Sequence, residues 1–137
     1  MFMQRRSFML SLVALPAASL AVLQLPSLKA QILRRARELI TDKRHWITRK
    51  AFGLPPGGCR LADVRVFSAY GAIYRAGYDL TRYQSYTVLE GKTYPITEFL
   101  RPEDLFSEAQ LIEIMRINNT KGHQAVLAHL DSLIQEV

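Results

Sequence analysis

One stretch constrains the fold of this chain more than any other: Asp63 to Gly77, DVRVFSAYGAIYRAG. Val64, Phe67, Gly71 and Tyr74 fall at i, i+3, i+7 and i+10. Val66, Ala69, Ile73 and Ala76 fill the adjoining stripe. At helical spacing these positions cover more than half the circumference, so the stretch predicts a helix buried on most sides. Asp63 is the expected N-cap and Gly77 the expected stop. Ser68, Ala69, Gly71 and Ala72 are small enough to admit a close neighbour. Tyr70, Tyr74 and Tyr78 recur every four residues, which reads as packing with hydroxyls at the rim.

A chain of 137 residues has room for one domain around such a helix. The net charge is +6, and three of the cations (Arg5, Arg6, Lys29) lie in the first thirty positions, where no acid occurs. The remaining fifteen basic residues against twelve acids leave +3, too little to argue for a nucleic-acid partner. A single cysteine, Cys59, excludes an internal disulfide.

The first thirty residues have the layout of a targeting signal: a basic start, an apolar run from Phe8 to Leu23, then small residues. Arg5, Arg6 and Phe8 resemble the twin-arginine export motif. Residues 1–30 are therefore expected to be a signal peptide, cut after Ala21 or Ala30, or an uncleaved membrane anchor, and 31–137 a helical domain. Export to the periplasm or beyond follows, with membrane contact only through the N-terminal segment. An anchored form is the alternative.

Ala30 to Thr41 is an amphipathic pattern, with Ile32, Leu33, Ala36, Leu39 and Ile40 on one face. The basic residues Arg34, Arg35, Arg37, Lys43, Arg44, Arg49 and Lys50 read as a solvated face. Trp46 is expected to anchor this helix to the core, and Gly53-Leu54-Pro55-Pro56-Gly57-Gly58 to form a loop. Thr81 to Tyr86 predicts a further short helix, and Thr87 to Ile96 a loop or minor hairpin turning at Glu90-Gly91, with Pro95 limiting its pairing. Pro102 opens a helix that restarts at the capping box Ser107-Glu108-Ala109-Gln110. Asn118 to Gly122 ends it, and Val126, Leu130, Leu133 and Ile134 mark a last helix packed antiparallel to it. The fold class expected is mainly α: four to five helices, a minor hairpin or loop near 87–96, and an N-terminal signal helix.

Ser68-Ala69-Tyr70-Gly71-Ala72, Ile117-Asn118-Asn119 and the early Trp46 carry a resemblance to a small, mostly helical bacterial domain-of-unknown-function family. That family has a Cys-Ala-Leu-Gly-Ala helix and a Trp-Asn-Asp turn. Its Cys, Trp and Asp are Ser68, Ile117 and Asn119 here, so the resemblance implies a fold and no activity.

Two functions compete. The first is a non-catalytic module binding a protein or small molecule at the cell envelope, with Asn118, Asn119, Thr120 and the Gly-rich loop as contacts. The second is a small hydrolase or transferase using Ser68 or Cys59 as nucleophile with His123 or His129 as base. It would need nucleophile and base within hydrogen-bond reach, and no Gly-x-Ser-x-Gly elbow is present. No cofactor is implied. His123 and His129 stand about 240° apart on a helix, which does not make a metal pair.

Overall fold

The computed structural model describes residues 27–137, and the expected signal at Arg5, Arg6 and Phe8 lies outside them. Five α-helices are present among the described residues: α1 (Leu28–Leu39), α2 (Ala69–Thr81), α3 (Pro102–Leu105), α4 (Glu108–Thr120) and α5 (His123–Gln135). Two antiparallel two-stranded sheets join them: β1 (Phe52–Gly53) with β2 (Val66–Phe67), and β3 (Tyr83–Leu89) with β4 (Lys92–Glu98). The mainly-α expectation is thereby corrected: the described domain is mixed α and β.

The β-hairpin overturns most of that expectation. Thr81 to Tyr86 is not a helix: Thr81 is the last residue of α2, and β3 begins at Tyr83. Tyr, Thr and Val at closely spaced positions favour extended backbone. The turn falls at the expected dipeptide: Glu90 (φ 51°) and Gly91 (φ 76°) are both left-handed, as a two-residue type I′ turn requires. Pairing runs the full seven residues, from Leu89–Lys92 to Tyr83–Glu98, and includes Pro95 opposite Tyr86.

The central helix is also shorter at its start than its pattern predicts. Residues 61–63 form a 3₁₀ turn, Val66 and Phe67 are β2, and the helix N-cap is Ser68, whose Oγ accepts from the Gly71 N–H at 3.0 Å. Arg75 holds the preceding segment extended. Its Nη1 donates to the carbonyls of Leu61 and Val64, and its Nε to Asp79. A guanidinium offers five donors, so one buried side chain can serve all three acceptors.

α2 is buried along nearly its whole inner face: Ala69, Gly71, Ala72, Ile73, Ala76 and Gly77 are inaccessible. Gly77 does not stop the helix. It lets the Leu100 carbonyl approach, because a Cβ there would sit 2.0 Å from that oxygen. Gly71 does the same for the Ala51 carbonyl, at 1.8 Å. On the flank, Tyr74 and Tyr78 meet Phe99 edge-on with centroids 5.2 and 5.4 Å apart, so the tyrosines pack as expected.

α1 is capped by Ser27, whose hydroxyl accepts from the Ala30 N–H. It buries Ile32, Leu33 and Ala36 against α2 and α5. Arg35 reaches Asp79 near the C-terminal end of α2, while Ile40 lies beside His123 and Trp46 near its start. α1 therefore runs antiparallel to α2, and the beginning of α1 and the hairpin share one end of the domain. Cleavage after Ala30 would remove the Ser27 cap and the first turn of α1, whereas cleavage after Ala21 leaves both. The restart at Ser107 is as expected: Ser107 accepts from the Gln110 N–H and Gln110 accepts from the Ser107 N–H. Gly122 (φ 94°) turns the chain into α5.

Candidate functional site

The last turn of α4 meets the segment 46–51 at the N-terminal end of α2. Asn118 is the junction. It is almost fully buried, and its Oδ1 accepts from the Trp46 Nε1–H at 2.7 Å and from the Ala69 N–H at 2.9 Å. Its Nδ2 donates to the Ile47 carbonyl at 3.1 Å and to the Asn119 Oδ1 at 3.2 Å. Two donors and one amide oxygen are all in use, so Asn118 is a clamp between three chain segments. Trp46 is thus anchored, though to α4 and α5 rather than to the first helix, by this hydrogen bond and by a ring contact with His123 at 5.3 Å.

Asn119 fixes the other side. Its Oδ1 accepts from the backbone N–H of Arg49, a residue held at φ 67°. A left-handed non-glycine residue costs roughly 1 kcal/mol, so the Asn119 bond helps to hold a shape the loop resists. Next along the chain, the Ala51 carbonyl accepts from the Ser68 N–H at 3.0 Å and lies against Gly71.

These contacts leave a cleft of about 280 Å³ lined by Arg49, Lys50, Ala51, Ser68, Tyr70, Met115, Asn118 and Asn119. Arg49 and Lys50 are exposed at its rim, and neither side chain makes an ion pair within the described residues. Tyr70 is held on the opposite side by its hydroxyl, which donates to Glu103 of α3 at 2.5 Å. Burial and that hydrogen bond push the phenol well above its ordinary range, so it stays neutral and keeps its proton on the Glu103 bond.

Of the three residues expected to make contacts, the cleft brings together Asn118 and Asn119. Thr120 is not part of it: its Oγ1 donates back to the Arg116 carbonyl at 2.6 Å. The Gly-rich loop is exposed and turned by Gly57 and Gly58 at positive φ, and it does not line the cleft. Arg49 and Lys50, expected as part of a solvated basic face, instead form its rim. Tyr70 comes from α2, where the four-residue tyrosine repeat marks it as a rim residue, and Met115 from α4, where no local pattern marks it as a lining residue.

The nucleophile candidates are placed as follows. The Ser68 hydroxyl caps α2 and has the Gly71 N–H and the Ala51 carbonyl as its partners; no histidine is among them. His123 is buried, and its Nε2 must carry the proton it shares with the Ile40 carbonyl at 2.6 Å. Cys59 is an exposed free thiol on the loop. Among the described residues no group of three His, Cys, Asp or Glu side chains could hold a metal ion, and no helix is long and apolar enough to cross a membrane.

Compared with protein-family models, with curated proteins and with solved structures, the chain gives no match in any of the three. The functional reading therefore rests on the geometry of the cleft alone.

Proposed function

We propose that this protein is a non-catalytic binding module of the cell envelope whose cleft receives the anionic group of a small molecule. The observation that carries the reading is the pair of unpaired cations, Arg49 and Lys50, on the rim of a cleft with an amide-lined floor. A cation gains from an anion it can hydrogen-bond, and a guanidinium matches a carboxylate or phosphate in shape. The volume is just below the usual range for drug-sized ligands, which favours a compact anion or the end of a longer molecule. Asn118 and Asn119 shape the floor, the first through buried structural bonds and the second by fixing Arg49. The envelope destination rests on the Arg5-Arg6-Phe8 leader.

Thermal-shift titration with inorganic phosphate and with succinate tests the cleft. The wild-type chain should gain stability with either anion, by about 2.7 kcal/mol at a hundredfold excess over Kd. The double substitution Arg49→Gly and Lys50→Gln should abolish the gain while leaving the fold intact. A melting temperature that ignores both anions up to about 100 mM would sink the reading. Fractionation tests the destination: Arg5→Lys with Arg6→Lys should leave the protein in the cytoplasm, and unchanged export would exclude the twin-arginine route.

A further inference from the structure

Among the described residues, no helix packs extensively on either face of the β3–β4 hairpin. Tyr83, Ile96, Tyr94 and Leu89 are exposed on one side, and Tyr86 and Val88, at 66% and 65%, on the other. A ribbon of two strands is marginal in water, and sheets gain independent stability at three strands or more. The question is what completes it.

The ladder itself gives the answer. A two-residue I′ turn closes on a hydrogen-bonded pair, here Leu89–Lys92. Alternation then turns the backbone N–H and C=O of Gln84, Tyr86 and Val88 out of the ribbon on the β3 side. On the β4 side it turns out those of Thr93, Pro95 and Thr97. Pro95 sits in the middle of that outward row, where its missing N–H costs no internal bond and blocks any added strand. The β4 edge is blunted, with Lys92 beside the turn. The β3 edge carries neither proline nor charge from Tyr83 to Leu89.

We infer that two copies of this chain pair β3 to β3, antiparallel about a two-fold axis, to make a four-stranded sheet. Tyr86 of one copy then faces Tyr86 of the other, and Gln84 faces Val88. An isologous contact pairs the same backbone row on both copies at once. No like charges meet, because the strand has none. Both outer edges of the completed sheet are β4, each stopped by Pro95, so assembly ends at two copies. The contact is small, so the dimer should dissociate on dilution.

Sedimentation velocity of the full chain over a concentration series tests this. The wild type should show a reversible monomer–dimer equilibrium. Tyr86→Lys and Tyr86→Glu each place like charges across the axis and should weaken it at least tenfold; mixing the two should restore a dimer. Tyr86→Pro repeats on β3 the block that Pro95 makes on β4, and should also give monomers with the intrachain ladder intact. Circular dichroism verifies that each variant is folded. Wild type that stays monomeric to about 1 mM overturns the inference. So does dimerisation unaffected by all three substitutions, as association through residues 8–23 would give. Binding of the wild-type monomer, but not the Tyr86→Glu chain, to phosphatidylglycerol vesicles would assign the hairpin to lipid and overturn it too. The hairpin follows the C-terminal end of α2 and the cleft lies at its start, about 20 Å away. Loss of the dimer therefore leaves the anion reading standing, and the reverse holds.

Discussion

Asn118 shows how much one side chain can hold. Replacing it with Leu removes four hydrogen bonds and leaves the buried Ala69 N–H, the Trp46 indole N–H and the Ile47 carbonyl unmatched. Unsatisfied buried groups cost roughly 1–3 kcal/mol each, so Asn118→Leu should lose about 3 kcal/mol or more in urea denaturation. Asn118→Asp keeps both acceptor contacts but turns a carboxylate oxygen toward the Ile47 carbonyl. Its folded-state pKa should therefore rise, and the deficit against wild type should be smaller at about pH 4 than at about pH 7. Tyr70 has the same sign by a different route. Its neutral form is the one the fold holds, so its contribution is complete below the ordinary phenol range and fades as pH rises toward the elevated folded value. Ultraviolet titration should show a late phenolate step that Tyr70→Phe removes. In sequence, Asn118 reads as a helix-ending residue, yet α4 continues to Thr120 and Asn118 is a buried member of its last turn. Its partners at Trp46, Ile47 and Ala69 lie 49 to 72 residues away, and no spacing rule reaches that far.

Among the elements, those whose signals are local were legible. The Ser107 capping box, the Gly122 turn and α5 stand where pattern and caps place them, whereas α1 begins at Leu28, two residues ahead of its pattern, on a Ser27 cap inside the expected leader. The start of α2 was not legible, because Asp63 and Ser68 are both competent caps. Tertiary bonds choose between them: Arg75 takes the carbonyls of Leu61 and Val64, and Asn118 takes the N–H of Ala69. β3 was misread for a related reason: a short run of Tyr, Thr and Ser fits either period, and length decides only after pairing is known. The close approach at Gly71 is legible from its small size, though not its partner, the Ala51 carbonyl; Gly77 reads as a stop and instead admits the Leu100 carbonyl. Gly71→Ala and Gly77→Ala should each cost about 3 kcal/mol or more, since neither carbonyl can retreat as a side chain would. Gly71→Ala should in addition weaken anion binding, because it displaces Ala51 in the cleft wall.

At the scale of the molecule, α2 separates two surfaces of different character: a cationic cleft at its start and an apolar ribbon after its end. Composition hid the first, because Arg49 and Lys50 are two among eighteen cations, and only folding shows that Arg35, Arg37, Arg44 and Arg75, by contrast, have carboxylate partners. Cys59, outside both surfaces, should react with one equivalent of a thiol reagent in the native protein, and the product should still bind phosphate as the unmodified chain does. Loss of binding would place the thiol in the site after all. The anchoring of Trp46 has one more consequence. It is the chain's single tryptophan, and its indole N–H ends on the same asparagine that floors the cleft. Its fluorescence is consequently an intrinsic gauge of that wall, with an emission maximum that should move to the red when water reaches Asn118, with no dye or engineered label required.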